Sequence, residues 1–189
     1  MGVVRFDLAS NTSLRFATTI DPIDLNVGLD GLLYVQYPGG SPAGFELEVY
    51  DPVTLEHVRQ IFFGLNDFRA CAVNRDGEIY LADSVGNIKR FAPSGTLISQ
   101  INVCGILAGN CFLSDIDIAP DGALVASSAY GRLVLTDVGL SNPMAFPVPA
   151  FNTTTTFVTF VPEPASSMLA IVAFSAITRS RPRRVSRAS

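Results

Sequence analysis

The chain has 189 residues, 48% of them hydrophobic and 16% charged, with a formal net charge of −4 and a mean hydropathy of +0.35. It is too apolar for a disordered chain, and its 15 Gly and 12 Pro exclude collagen-like or low-complexity sequence. The net charge conceals a split: residues 1–178 hold eight basic and 17 acidic side chains, residues 179–189 hold five arginines and no acid, which argues against nucleic acid as the partner of the acidic body.

Residues 1–7 show no charged stretch followed by an apolar one, so they do not read as a secretory signal. Residues 2–8 and 14–20 instead alternate as two strands. Three segments then align: 24–35, 71–82 and 115–126. Each is an alternating apolar run, an Asp-Gly pair and a second apolar run. The pairs are Asp30-Gly31, Asp76-Gly77 and Asp121-Gly122. Asp-Gly between two such runs predicts a hairpin, because Gly adopts positive φ at little cost. The second half of each unit repeats as well. Residues 86–101 read as strand, turn and strand, with counterparts at 45–61 and 131–137, and the chain's first two strands fit the same half. About four strands in each unit predict an all-β chain of β-propeller-like blades. A β-sandwich with evenly spaced hairpins is the alternative.

The stretch Asn74-Arg75-Asp76-Gly77-Glu78-Ile79-Tyr80-Leu81-Ala82-Asp83, followed by Gly86-Asn87-Ile88-Lys89-Arg90-Phe91, resembles the NHL repeat of six- and seven-bladed propellers. The resemblance covers roughly residues 1–140, which are expected to form a partial propeller of about three and a half blades. The array begins inside a unit, whereas rings of this kind close with four or more blades. The chain is therefore expected to be the C-terminal part of a longer protein, with pairing to another chain as the alternative.

The cysteines are Cys71, Cys104 and Cys111, and the one histidine is His57. With no CxxC pair, a Cys/His zinc quartet cannot be filled, and no metal or cofactor is expected. Cys104 and Cys111 bracket a loop holding Gly105 and Gly109. A local disulfide in an oxidising compartment and two small buried side chains are both open for this pair. Cys71 lies in an apolar run and reads as core.

Residues 141–160, with Pro143, Pro147, Pro149 and the run Thr153 to Thr156, read as a stalk, with a final strand at 157–160. Residues 165–178 carry no charge and are followed by Arg179, Arg181, Arg183, Arg184 and Arg187. Fourteen residues make a helix of about 21 Å, shorter than the roughly 30 Å hydrocarbon layer. The abrupt basic cluster nevertheless marks a transmembrane helix stopped on the cytoplasmic side, and the run has no polar face for an interfacial helix. Pro162-Glu163-Pro164, the apolar run and the arginines, in that order over residues 161–187, resemble a PEP-CTERM sorting signal. That resemblance implies export in a Gram-negative-type bacterium, anchoring in the membrane, and processing at the motif by an exosortase. The physics agrees: Pro162 and Pro164 hold Glu163 in an extended segment, and the arginines favour the anionic inner leaflet.

No nucleophile constellation appears. His57 reads as a surface residue rather than a base. Asp115, Asp117 and Asp83 are the carboxylates that could face a central channel and hold Ca²⁺, or simply hold strand ends. The expected role is non-catalytic binding or structure at the cell surface, with an exopolysaccharide or matrix component as partner and no catalytic residue assigned. The alternative is a lactonase-like or lyase-like propeller enzyme with its site in other blades.

Overall fold

Each Asp-Gly pair builds the same turn. The N–H groups of Gly31, Gly77 and Gly122 donate to the carbonyls of Gly28, Asn74 and Ala119, at 2.9, 3.1 and 2.9 Å. The three glycines sit at φ of 84°, 75° and 90°. This is a tight turn followed by a left-handed residue, the geometry that lets a short loop reverse a twisted hairpin. Asp30 and Asp121 reinforce it, each accepting from the N–H two residues on. In the middle turn Asn74 does so, accepting from the N–H groups of Asp76 and Glu78.

The computed structural model describes residues 2–7, 10–17, 22–37, 46–63, 68–107, 111–129, 131–147 and 158. The described residues form fourteen strands and no helix. Strands β1 (Gly2–Asp7) and β2 (Thr12–Ala17) make a two-stranded antiparallel hairpin. Strands β3 (Asp24–Val27), β4 (Leu33–Tyr37), β5 (Glu46–Tyr50) and β6 (His57–Phe62) form the first four-stranded sheet. Strands β7 (Phe68–Val73), β8 (Ile79–Asp83), β9 (Asn87–Phe91) and β10 (Leu97–Asn102) form the second. Strands β11 (Leu113–Ile118), β12 (Ala123–Ser128), β13 (Arg132–Asp137) and β14 (Met144–Pro147) form the third. Every sheet is an antiparallel meander in chain order.

Strand β14 lies inside the segment expected to be stalk, so the sheets run to Pro147 rather than ending at 140. It pairs with β13 through Leu133↔Phe146 and Leu135↔Met144. Pro147 is compatible with pairing because β14 is the outermost strand, where a missing N–H interrupts no ladder. The apolar segment 165–178 and the motifs around it lie outside the described residues, and no described helix is long and apolar enough to cross a membrane.

The sheets pack face to face through their first strands, β3 beside β7 and β7 beside β11. Between the first two sheets, Tyr34, Leu47 and Val49 meet Cys71, Val73, Ile79 and Leu81. Gly28 makes this approach possible: a Cβ there would stand 2.9 Å from the Val73 Cβ. The next residue, Leu29, donates its N–H to the Val73 carbonyl at 2.9 Å. Between the second and third sheets, Ala70, Ala72, Tyr80 and Ala82 face Ile116, Ile118 and Leu124. The small alanines admit the bulkier residues of β11, and the Tyr80 hydroxyl ties across to the Val138 carbonyl at 2.8 Å. Burial of these aliphatic and aromatic groups, at about 1.5–3 kcal/mol for each large side chain, is what holds the array together.

Candidate functional site

The first strands bring carboxylates to one cavity. Ile116 and Ile118 of β11 point into the core between the second and third sheets. The two-residue period of a strand turns Asp115 and Asp117 to the opposite side. They meet Asp24 and Asn26 of β3 around a cavity of about 330 Å³, with Val27 and Val158 completing its apolar wall.

Each carboxylate is used by backbone. The Asp24 carboxylate accepts the N–H of Cys71 at 3.1 Å and of Leu25 at 2.9 Å. Asp115 accepts the N–H of Val158 at 2.8 Å and of Ile116 at 2.9 Å. Asp117 accepts the N–H of Ile118 at 2.8 Å. Asp24 and Asp115 are equivalent: each stands six residues before its Asp-Gly turn, and each clips a backbone N–H one unit further along the chain, 47 and 43 residues on.

Burial dominates the electrostatics. It raises Asp24 to about 6 against the pull of its two N–H donors. It raises Asp115 to about 7, with the charges of Asp24 and Asp117 adding to the rise and the Val158 and Ile116 N–H groups opposing it. Burial also holds the Cys71 thiol well above its ordinary value, and the Asp24 and Asp115 charges add to that. A thiol so placed is a packing group rather than a nucleophile. What the cavity offers chemically is a pair of carboxyls that titrate near neutrality while they anchor neighbouring strands.

Asp83 does not join them. Its carboxylate closes the β8–β9 turn, accepting from the Val85 and Asn87 N–H groups at 3.0 and 2.7 Å and from the Asn87 side chain at 2.8 Å. Among the described residues no group of three His, Cys, Asp or Glu side chains is placed to hold a metal ion. His57 begins β6, exposed, its ring edge-on to Tyr50 at 5.4 Å. Cys104 and Cys111 are joined as a disulfide, with Cα atoms 4.7 Å apart. The bridged loop leans on Gly86, whose carbonyl accepts the Val103 N–H at 2.8 Å and where a Cβ would come within 3.2 Å of Cys111. Pro162, Glu163, Pro164 and the five arginines of the tail lie outside the described residues. Sequence reasoning passed over Asp24, although its register with Asp115 relative to the turns was there to be read.

No family model matches this chain, and no curated protein does. By contrast, 627 chains of known structure match, a breadth that speaks of a widely used fold rather than of one activity. One belongs to the crystal structure of the mitotic checkpoint complex. It superposes with a TM-score of 0.58 at 13% identity, over 85% of this chain and 48% of that one. That likeness is one of fold, and this chain spans about half the length of its neighbour.

Proposed function

We propose that the protein is an exported, surface-sorted bacterial β-propeller protein with a non-catalytic binding or structural role in the cell envelope or extracellular matrix. The carrying observation is the order of Pro162-Glu163-Pro164, the uncharged run 165–178 and the arginines from Arg179 to Arg187. An exosortase acts at the motif, the apolar segment anchors the chain, and the arginines hold its end on the cytoplasmic side. The meander sheets stacked through their first strands support reading the body as blades. The Cys104–Cys111 bridge supports a life outside the reducing cytoplasm. The structural side of this reading is supported by the inner cavity, where Asp24 and Asp115 are committed to backbone N–H groups.

The test is Glu163→Ala in a host that carries the sorting machinery, followed by cell fractionation and mass analysis of the C-terminus. The variant is expected to stay in the membrane fraction with its tail intact, while the parent loses the tail. Equal processing of the two would overturn the sorting role.

A further inference from the structure

The connection between the second and third sheets is longer than the repeat requires. From β6 to β7 the chain passes in residues 63–67, whereas from β10 to β11 it takes residues 103–112. The additional length carries Cys104 and Cys111, and their disulfide draws it into a compact loop. The shorter connection contains no cysteine, so the bridge belongs to this one junction and not to the repeat.

Two side chains of this loop enter the core. Val103 and Leu107 are 1% and 0% exposed and belong to the apolar cluster between the second and third sheets, with Ile88 and Leu113. A single turn brings them to one side: the Leu107 N–H donates to the Val103 carbonyl at 3.1 Å, while Gly105 and Ile106 stay exposed. The loop is seated on the β8–β9 turn. The Val103 N–H donates to the Gly86 carbonyl at 2.8 Å. The Asn102 side chain accepts the Cys104 N–H at 3.0 Å and donates to the Val85 carbonyl at 3.2 Å. Cys104 and Cys111 are half-buried, so the bridge is within reach of a small thiol. Cys71, the remaining cysteine, is buried in the cluster on the other side of the second sheet and is no exchange partner.

We propose that the Cys104–Cys111 bridge is a redox latch, holding Leu107 as a plug between the second and third sheets and releasing it on reduction. A dithiol reductant supplies two electrons and two protons. Its thiolate attacks one sulfur, the other cysteine leaves as a thiolate and takes up a proton, and the second thiol of the reductant resolves the mixed disulfide. The products are two cysteine thiols and the oxidised reductant. Without the cross-link the turn from Val103 to Leu107 gains freedom on leaving the core that the bridged loop lacks, so local opening is favoured. The sheets keep their order, because their strands pair without the loop. Opening uncovers an apolar slot between two sheets that stay folded. The latch rests on the bridge and its seat, and not on the sorting signal.

The test is native-state amide exchange on the full chain in mild detergent, with and without dithiothreitol, over a series of low denaturant concentrations. In the reduced chain the Val103 and Leu107 amides are expected to exchange about tenfold faster, by an opening that depends little on denaturant. The amides of β8 should follow the steep dependence of global unfolding in both redox states. Re-oxidation should restore slow exchange at Val103 and Leu107, and Cys104→Ser with Cys111→Ser should behave as the reduced parent with or without dithiothreitol. Unchanged exchange at Val103 and Leu107 on reduction would overturn the latch. So would the same steep denaturant dependence at Val103, Leu107 and β8 in the reduced chain, which makes the bridge a staple of the whole fold, or three free thiols in the chain purified without reductant.

Discussion

At the scale of single residues, Asp115 sets the most consequential chemistry. Its carboxyl is raised from 3.8 to about 7, chiefly by burial, and Asp24 from 3.8 to about 6 for the same reason. A carboxyl raised by folding binds its proton more tightly in the native state than in the unfolded one. Below about pH 4 both states are protonated and these groups leave stability unchanged. Between about pH 4 and 7 the unfolded state gives up these protons while the native state still holds them, so stability falls as pH rises through that window and levels off above it. Asp115→Asn keeps a carbonyl oxygen for the Val158 N–H and removes the buried charge. The variant is expected to gain on the order of 1 kcal/mol at pH 8, about 3 °C in Tm for a body of this size. At pH 3, where both states hold the proton, the gain should vanish. Thermal melts of parent and variant at the two pH values check this, and an equal difference at both would show that the charge is not the cause.

At the scale of elements, the hairpins explain why so much of the fold was legible. Asp30-Gly31, Asp76-Gly77 and Asp121-Gly122 announce their turns because only glycine takes the left-handed residue cheaply. The runs beside these turns are apolar because neighbouring sheets cover both faces: β4 and β8 are buried along their whole length. Less legible were features fixed by contacts between units. Gly28 carries no turn signal of its own and matters because β7 passes so close to it. Gly28→Ala is expected to cost about 1–3 kcal/mol, the usual effect of adding a methyl to a filled interface. A denaturant midpoint lowered at unchanged slope would verify it. Strand β14 was hidden by the prolines around it, since the tolerance of an edge strand for proline depends on which strand has no outer neighbour. The Cys104–Cys111 bridge closes a short loop against Gly86. Its reduction is expected to lower stability by roughly 2.5 kcal/mol from loop closure alone. Melts with and without a reductant measure that loss, and Cys104→Ser with Cys111→Ser should melt with the reduced parent.

At the scale of the whole molecule, the charge split is the feature on which the proposed sorting role rests. Net −9 on residues 1–178 and +5 on the last eleven place opposite charges on either side of the uncharged run 165–178. If the proposed anchoring holds, that run is short for a bilayer, so its own hydrophobicity would hold it weakly and its flanks would decide the outcome. Arginines near a membrane span resist translocation, and each contributes about 1 kcal/mol of attraction to an anionic leaflet. Replacing Arg179, Arg181, Arg183, Arg184 and Arg187 together by Gln removes that hold and leaves Pro162-Glu163-Pro164 intact. The variant is expected to slip through the membrane and appear outside the cell with its tail still attached. Glu163→Ala is expected to remain membrane-bound with its tail attached, and the parent to leave the membrane only after the tail is lost. Fractionation combined with mass measurement of the C-terminus separates the three outcomes. Retention of the five-Gln variant in the membrane at the level of the parent would show that the arginines are not the stop, and that the apolar run anchors unaided.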